Sequence, residues 1–208
     1  ADVTFAVITP MALAGTASSW YYVLNRLLDH RVAAAVGGLF CGFAPAMISQ
    51  ATGHPNISGQ YVLPFVVLAV FSLGKPGRHP VMRGLILAGL VIVQVFVNEE
   101  LLFLTALGLF VFLVPYAFAR PRELAQRVPD ALKSLGTTAV VAGAALAYPL
   151  YHQFFGKGYY RGLPDYILLY GADLAGYWTF ARRSVAGDPL VTAKIAQGST
   201  EENSFFGW

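Results

Sequence analysis

Residues 82–119 read MRGLILAGLVIVQVFVNEELLFLTALGLFVFLVPYAFA. Two apolar blocks, 82–98 and 100–119, meet at Asn98-Glu99-Glu100. Each has roughly the 17 to 25 residues that a bilayer crossing needs, and neither resembles the short periodic patches of a globular core. The stretch therefore reads as two successive membrane spans.

Working outward, comparable blocks cover about 3–25, 32–50 and 57–74 upstream and 134–152 downstream. The composition agrees: 56% of the 208 residues are hydrophobic and only 12% charged, against roughly 25% charged in ordinary soluble domains. With a mean hydropathy of +0.57, a water-soluble fold of this size has no way to hide its apolar surface. The expected fold class is all-α: a polytopic integral membrane helical bundle of about six transmembrane helices over residues 1–152. An aromatic-rich, non-cytoplasmic segment, 153–208, is expected to follow, holding a loop or interfacial helix and leading to a further span. Within the second block, Gly38-Leu39-Phe40-Cys41-Gly42 carries the small-xxx-small pattern that lets helices pack closely.

Orientation follows from the basic residues, because cytoplasmic loops carry Lys and Arg in excess. Arg26 and Arg31 follow the first block, Lys75, Arg78 and Arg83 the third, and Arg120, Arg122, Arg127 and Lys133 the fifth. The alternate loops, 50–60 and 98–100, hold none. These nine of the fourteen basic residues thus mark one face, and both ends of the chain are expected on the other. The net charge of +3 does not imply a nucleic-acid partner, since no basic stripe is interleaved with exposed aromatics. Cys41 is the only cysteine and can form neither an internal disulfide nor a cysteine zinc site. The chain opens on Ala1-Asp2-Val3 and closes on Phe205-Phe206-Gly207-Trp208, so it is expected to be an internal piece of a longer protein.

Three places carry residues suited to chemistry. Asn98-Glu99-Glu100 stands at a membrane boundary, where ionisable groups are costly and mark functional sites. The same residues also suit a helix start, with Asn as cap and two carboxylates at the positive end of the helix dipole. His54 and Asn56, in the loop Gly53-His54-Pro55-Asn56, place an imidazole and an amide on the same expected face, although Gly, Pro and Asn are first of all turn residues. The long segment offers Arg182-Arg183, whose guanidinium forks match phosphate oxygens, with Tyr177 toward a sugar or lipid and Glu201-Glu202 before the last aromatic cluster. Interfacial anchoring accounts for the same arginines and tyrosines. No resident cofactor is expected; a divalent metal is left open.

The runs Phe43-Ala44-Pro45-Ala46-Met47, Gly53-His54-Pro55-Asn56, Asn98-Glu99-Glu100-Leu101 and Glu201-Glu202-Asn203-Ser204-Phe205-Phe206-Gly207 resemble the middle portion of bacterial, particularly actinobacterial, multi-spanning glycosyltransferases of the GT-C fold. The resemblance implies a multi-pass enzyme of the bacterial plasma membrane. Such an enzyme takes a sugar from a polyprenyl-phosphate donor and transfers it, on the outer face, to a lipid-linked or cell-envelope acceptor. It implies His54 and Glu99 or Glu100 lining an outer cavity, with Arg182 and Arg183 toward the carrier phosphate. The acidic base typical of that family lies in its first outer loop, to which no residue here corresponds. A transporter or flippase, or a non-catalytic scaffold subunit, remains the alternative; no span shows the buried charge pair usual in an ion-coupled carrier.

Overall fold

The computed structural model describes residues 2–51, 53–75, 79–159 and 162. Among them the chain is all-α, in eight helices: α1 (Asp2–Leu28), α2 (Arg31–Phe43), α3 (Pro45–Gln50), α4 (Pro55–Ser58), α5 (Leu63–Ser72), α6 (Pro80–Val97), α7 (Glu99–Ala119) and α8 (Pro121–Phe155). Proline punctuates this order. Pro45, Pro55, Pro80 and Pro121 each occupy the first position of a helix, where the missing N–H is no loss and the fixed φ is already helical. Ala44, the residue before Pro45, is pushed to ψ 151, which ends α2 inside the expected span 32–50.

Six segments among the described residues are long and apolar enough to cross a membrane: Val3–Leu28, Arg31–Ile48, Pro55–Ser72, Pro80–Val97, Glu99–Ala119 and Pro121–Phe155. α7 is the clearest case, for none of its 21 residues is buried and Phe103, Phe110 and Phe118 are all exposed. A helix apolar along nearly its whole length, with most of its large side chains left uncovered by protein, suits a lipid surrounding. At its 35 residues, α8 spans about 52 Å at 1.5 Å per residue, well beyond the roughly 30 Å hydrocarbon core. Its first third is therefore a polar extension, where Arg127 pairs with Glu123 and Lys133 lies 3.7 Å from Asp130. These pairs and Pro121 keep residues 121–133 helical, where the sequence suggests a loop before a span at 134.

The described chain forms two compact units, the first running to Gln60 and the second from Tyr61 to Tyr159. In the first, α1 and α2 make a hairpin. Asp29 takes the left-handed conformation (φ 51) that Asp tolerates, and His30 caps α2 by accepting the Ala33 N–H on Nδ1 at 3.1 Å. Gly38 and Gly42 then lie against the backbone of α1: a Cβ on Gly38 would stand 2.7 Å from the Ala17 carbonyl oxygen, and one on Gly42 2.5 Å from the Ala17 Cβ. Thr16 of α1, fully buried, donates to the Ser58 carbonyl at 2.9 Å and accepts the Gln60 N–H at 2.9 Å, which ties α4 to α1.

The second unit is organised by α6 and α8. Their interface is a stripe at four-residue spacing on α8, Ser134, Thr138, Ala142 and Leu146, all buried. Ser134 donates to the Pro80 carbonyl at 2.9 Å and Thr138 to the Gly84 carbonyl at 3.0 Å, while Ala88 packs with Ala142 and Leu146. Hydroxyls that bond across helices are modest glue in a membrane. Replacing Thr138 with Val keeps the shape and removes the bond, and is expected to cost about 0.6 to 1.7 kcal/mol, read as a lower melting temperature in detergent micelles.

Candidate functional site

The Lys/Arg-poor end of the second unit is where α6 stops, α7 starts and α8 finishes. Asn98 lies between the first two in extended conformation (φ −168, ψ 112) and serves both. Its N–H bonds the Gln94 carbonyl at 2.8 Å to close α6, and its side-chain oxygen accepts the Leu101 N–H at 3.0 Å to cap α7. One residue thus turns the chain back without leaving orphan backbone groups.

Glu99 and Glu100 occupy the first turn of α7, as a helix start requires, and both are exposed. The structure separates them. The Glu99 carboxylate accepts a hydrogen bond from the side-chain amide of Gln153 near the end of α8, across 54 positions of sequence. Glu100 has no such partner among the described residues. Asn98 is the cap, as its place in the sequence suggests, and the two carboxylates add the favourable charge at the helix start, about 0.3 to 1 kcal/mol each where exposed.

Beneath this end lies Gln94, with 0% exposure. Its amide nitrogen donates to the Asn98 carbonyl at 3.0 Å, but its oxygen Oε1 is buried with no partner among the described residues. An unmet buried acceptor costs about 1 to 3 kcal/mol, so the position favours whatever donor reaches it. The exposed Glu99 carboxylate, fixed through Gln153, suits the hydroxyl groups of a polyol, while the buried Gln94 holds the end of α6 through Asn98. The sequence did hold a signal for Gln94, the lone polar side chain between Gly84 and Val97. Gln153 had none, because its role depends on where α8 ends.

His54 and Asn56 belong to the first unit. His54 is the residue before α4, half-buried, and its side chain makes no capping bond; its carbonyl accepts the N–H groups of Ile57 and Ser58 at 3.0 and 3.1 Å. Asn56 is exposed. His54 leads into α4 without a side-chain cap, and Asn56 lies within that helix. Tyr177, Arg182, Arg183, Glu201 and Glu202 lie outside the described residues. Among the described residues no group of three or more His, Cys, Asp or Glu is gathered to hold a metal ion.

Arg83 departs from its expected place among the loop cations. It sits in the first turn of α6, and only 4% of it is exposed.

No curated protein and no solved structure matches the chain. A family model described as a domain of unknown function, DUF6311, matches residues 4–208, nearly the whole length, and the chain belongs to that family.

Proposed function

We propose that the chain is part of a bacterial plasma-membrane glycosyltransferase that moves a sugar from a polyprenyl-phosphate carrier to a lipid-linked or cell-envelope acceptor on the outer face. The observation that carries this reading is the hydrogen bond that holds the Glu99 carboxylate to Gln153 above the unmet acceptor of Gln94. The exposed carboxylate takes hydrogen bonds from hydroxyls, which a sugar or its acceptor supplies in number. It stands at the end of the second unit that is poor in Lys and Arg, with Lys157 alone among the described residues there, and by the distribution of positive charge this end faces outward.

In an inverting transfer, a carboxylate takes the proton of the acceptor hydroxyl as its oxygen bonds the anomeric carbon, and the carrier phosphate leaves with the electrons of the broken C–O bond. Glu99 in this reading binds and orients the acceptor or the sugar. Arg182 and Arg183 suit the departing phosphate through their paired donors. Tyr177, Glu201 and Glu202 are secondary contacts in this reading.

A second reading, a lipid transporter or flippase, draws on the break at Pro45 between α2 and α3, since transporters build their sites at interrupted helices. One assay separates the two. Membranes holding the full chain are given a polyprenyl-phosphate hexose labelled in the sugar, together with envelope acceptors. Label that passes to the acceptor fraction supports transfer. Label that stays on the carrier but changes leaflet in sealed vesicles replaces it with transport, and neither outcome leaves a scaffold subunit.

A further inference from the structure

α6 carries a second orphan at its other end. Arg83 lies on the buried face of the helix, one turn before Leu87, which packs with Val62, Val66 and Leu73. Two of its three guanidinium nitrogens, Nε and Nη1, are buried without a partner among the described residues. Arginine does not discharge by losing its proton, and an uncompensated guanidinium in a bundle of apolar helices is among the costliest groups a fold can hold. Its counter-charge must come from somewhere.

Among the described residues the two acids of α8, the helix that packs on α6, are already paired, Glu123 with Arg127 and Asp130 with Lys133. The first turn of α6 contains no acidic residue, and His79 before it makes no side-chain cap, so the positive end of the helix dipole is also unanswered. Lys75, exposed, adds a further positive charge between α5 and α6. Along the outer flank of the same helix, Val81, Met82, Leu85 and Ile86 are exposed and apolar. An anion with acyl chains satisfies both features, the chains along this flank and the phosphate at the helix start. Arg83 is one turn from the exposed His79, and a long arginine stem can stay buried while its head reaches a membrane surface.

We propose that the Lys/Arg-rich end of the second unit binds the phosphate of an anionic membrane phospholipid, with the Arg83 guanidinium as its principal donor. This assignment does not rest on the sugar-transfer reading, whose groups lie about 16 Å away along α6, taking Gln94 as eleven residues on at 1.5 Å each.

The test uses the full chain in micelles titrated with phosphatidylglycerol or phosphatidylcholine, with bound lipid counted by native mass spectrometry. The wild type is expected to retain phosphatidylglycerol in preference to phosphatidylcholine. Arg83→Met, which keeps the length of the side chain and removes its charge and donors, is expected to bind phosphatidylglycerol at least about tenfold more weakly, as loss of a charged hydrogen bond implies. Equal retention of the two lipids by the wild type overturns the proposal, as does an unchanged preference in Arg83→Met. Inorganic phosphate that competes as well as the lipid places a soluble anion in the site and overturns the lipid assignment. Should Arg83→Met fail to fold, Arg83→Lys carries the test. It keeps the charge without the guanidinium donors and is expected to bind phosphatidylglycerol several-fold more weakly, whereas an unaltered affinity removes Arg83 from the site.

Discussion

Glu99→Gln is expected to lower sugar transfer from a polyprenyl-phosphate donor by about 10- to 100-fold, the loss that removal of a charged hydrogen bond to the acceptor or the sugar implies. The substitution is nearly isosteric, and the new side chain can still accept the bond from Gln153, so the bundle end keeps its shape. What disappears is the negative charge that attracts a hydroxyl proton. Glu100→Gln removes the same charge from the same helical turn, but from an exposed side chain with no partner among the described residues. It is expected to leave transfer near the wild-type rate. An equal loss from both variants would assign the effect to charge at the α7 helix start and remove Glu99 from the site. Gln153→Leu should fall between them, because it frees the Glu99 carboxylate without discharging it; melting temperatures in micelles serve as the folding control.

Gly38→Leu is expected to destabilise the α1–α2 hairpin by about 3 kcal/mol, the upper part of the range for overpacking. A Cβ at this position meets the Ala17 carbonyl oxygen at 2.7 Å, the Tyr21 nitrogen at 2.8 Å and the Tyr21 Cα at 3.0 Å. All three are backbone atoms, so no change of rotamer relieves the clash and the helices must part. The contrasting substitution is Gly89→Ala on α6. A Cβ there meets nothing within 4 Å, and the gain in helix propensity is expected to leave stability unchanged or raise it by up to about 1 kcal/mol. Thermal unfolding in detergent compares the two directly, and a similar loss from both would mean that α1 and α2 do not pack through Gly38.

Much of this was open to a reader of the chain alone. The apolar blocks at 82–98 and 100–119 reappear as α6 and α7 with ends shifted by a residue or two, because hydrophobic length and the Asn98 cap are local properties. The Gly38–Gly42 pattern likewise announced a close helix contact, though not that Ala17 and Tyr21 were the other side of it. The extent of α8 was harder to see. Residues 120–133 are charged and contain Pro129, which argues against a membrane span, yet charge does not prevent a helix once Glu123–Arg127 and Asp130–Lys133 pair along one face.

The candidate sites divide in the same way. Sequence by itself determined that this is an all-α protein with six membrane-length helical segments, that its basic residues gather in alternate connections, and that Asn98-Glu99-Glu100 opens a helix. Each depends only on hydropathy, charge and capping within a few residues. Tertiary structure alone decided that Glu99 and not Glu100 is held by Gln153, that Gln94 keeps a buried acceptor unmet, and that Arg83 leaves the loop cations for the interior. Those facts depend on which face of α6 meets its neighbours and where α8 ends. That facing is fixed by close contacts such as Gly84 against Ser134, between residues fifty positions apart, which no local pattern encodes.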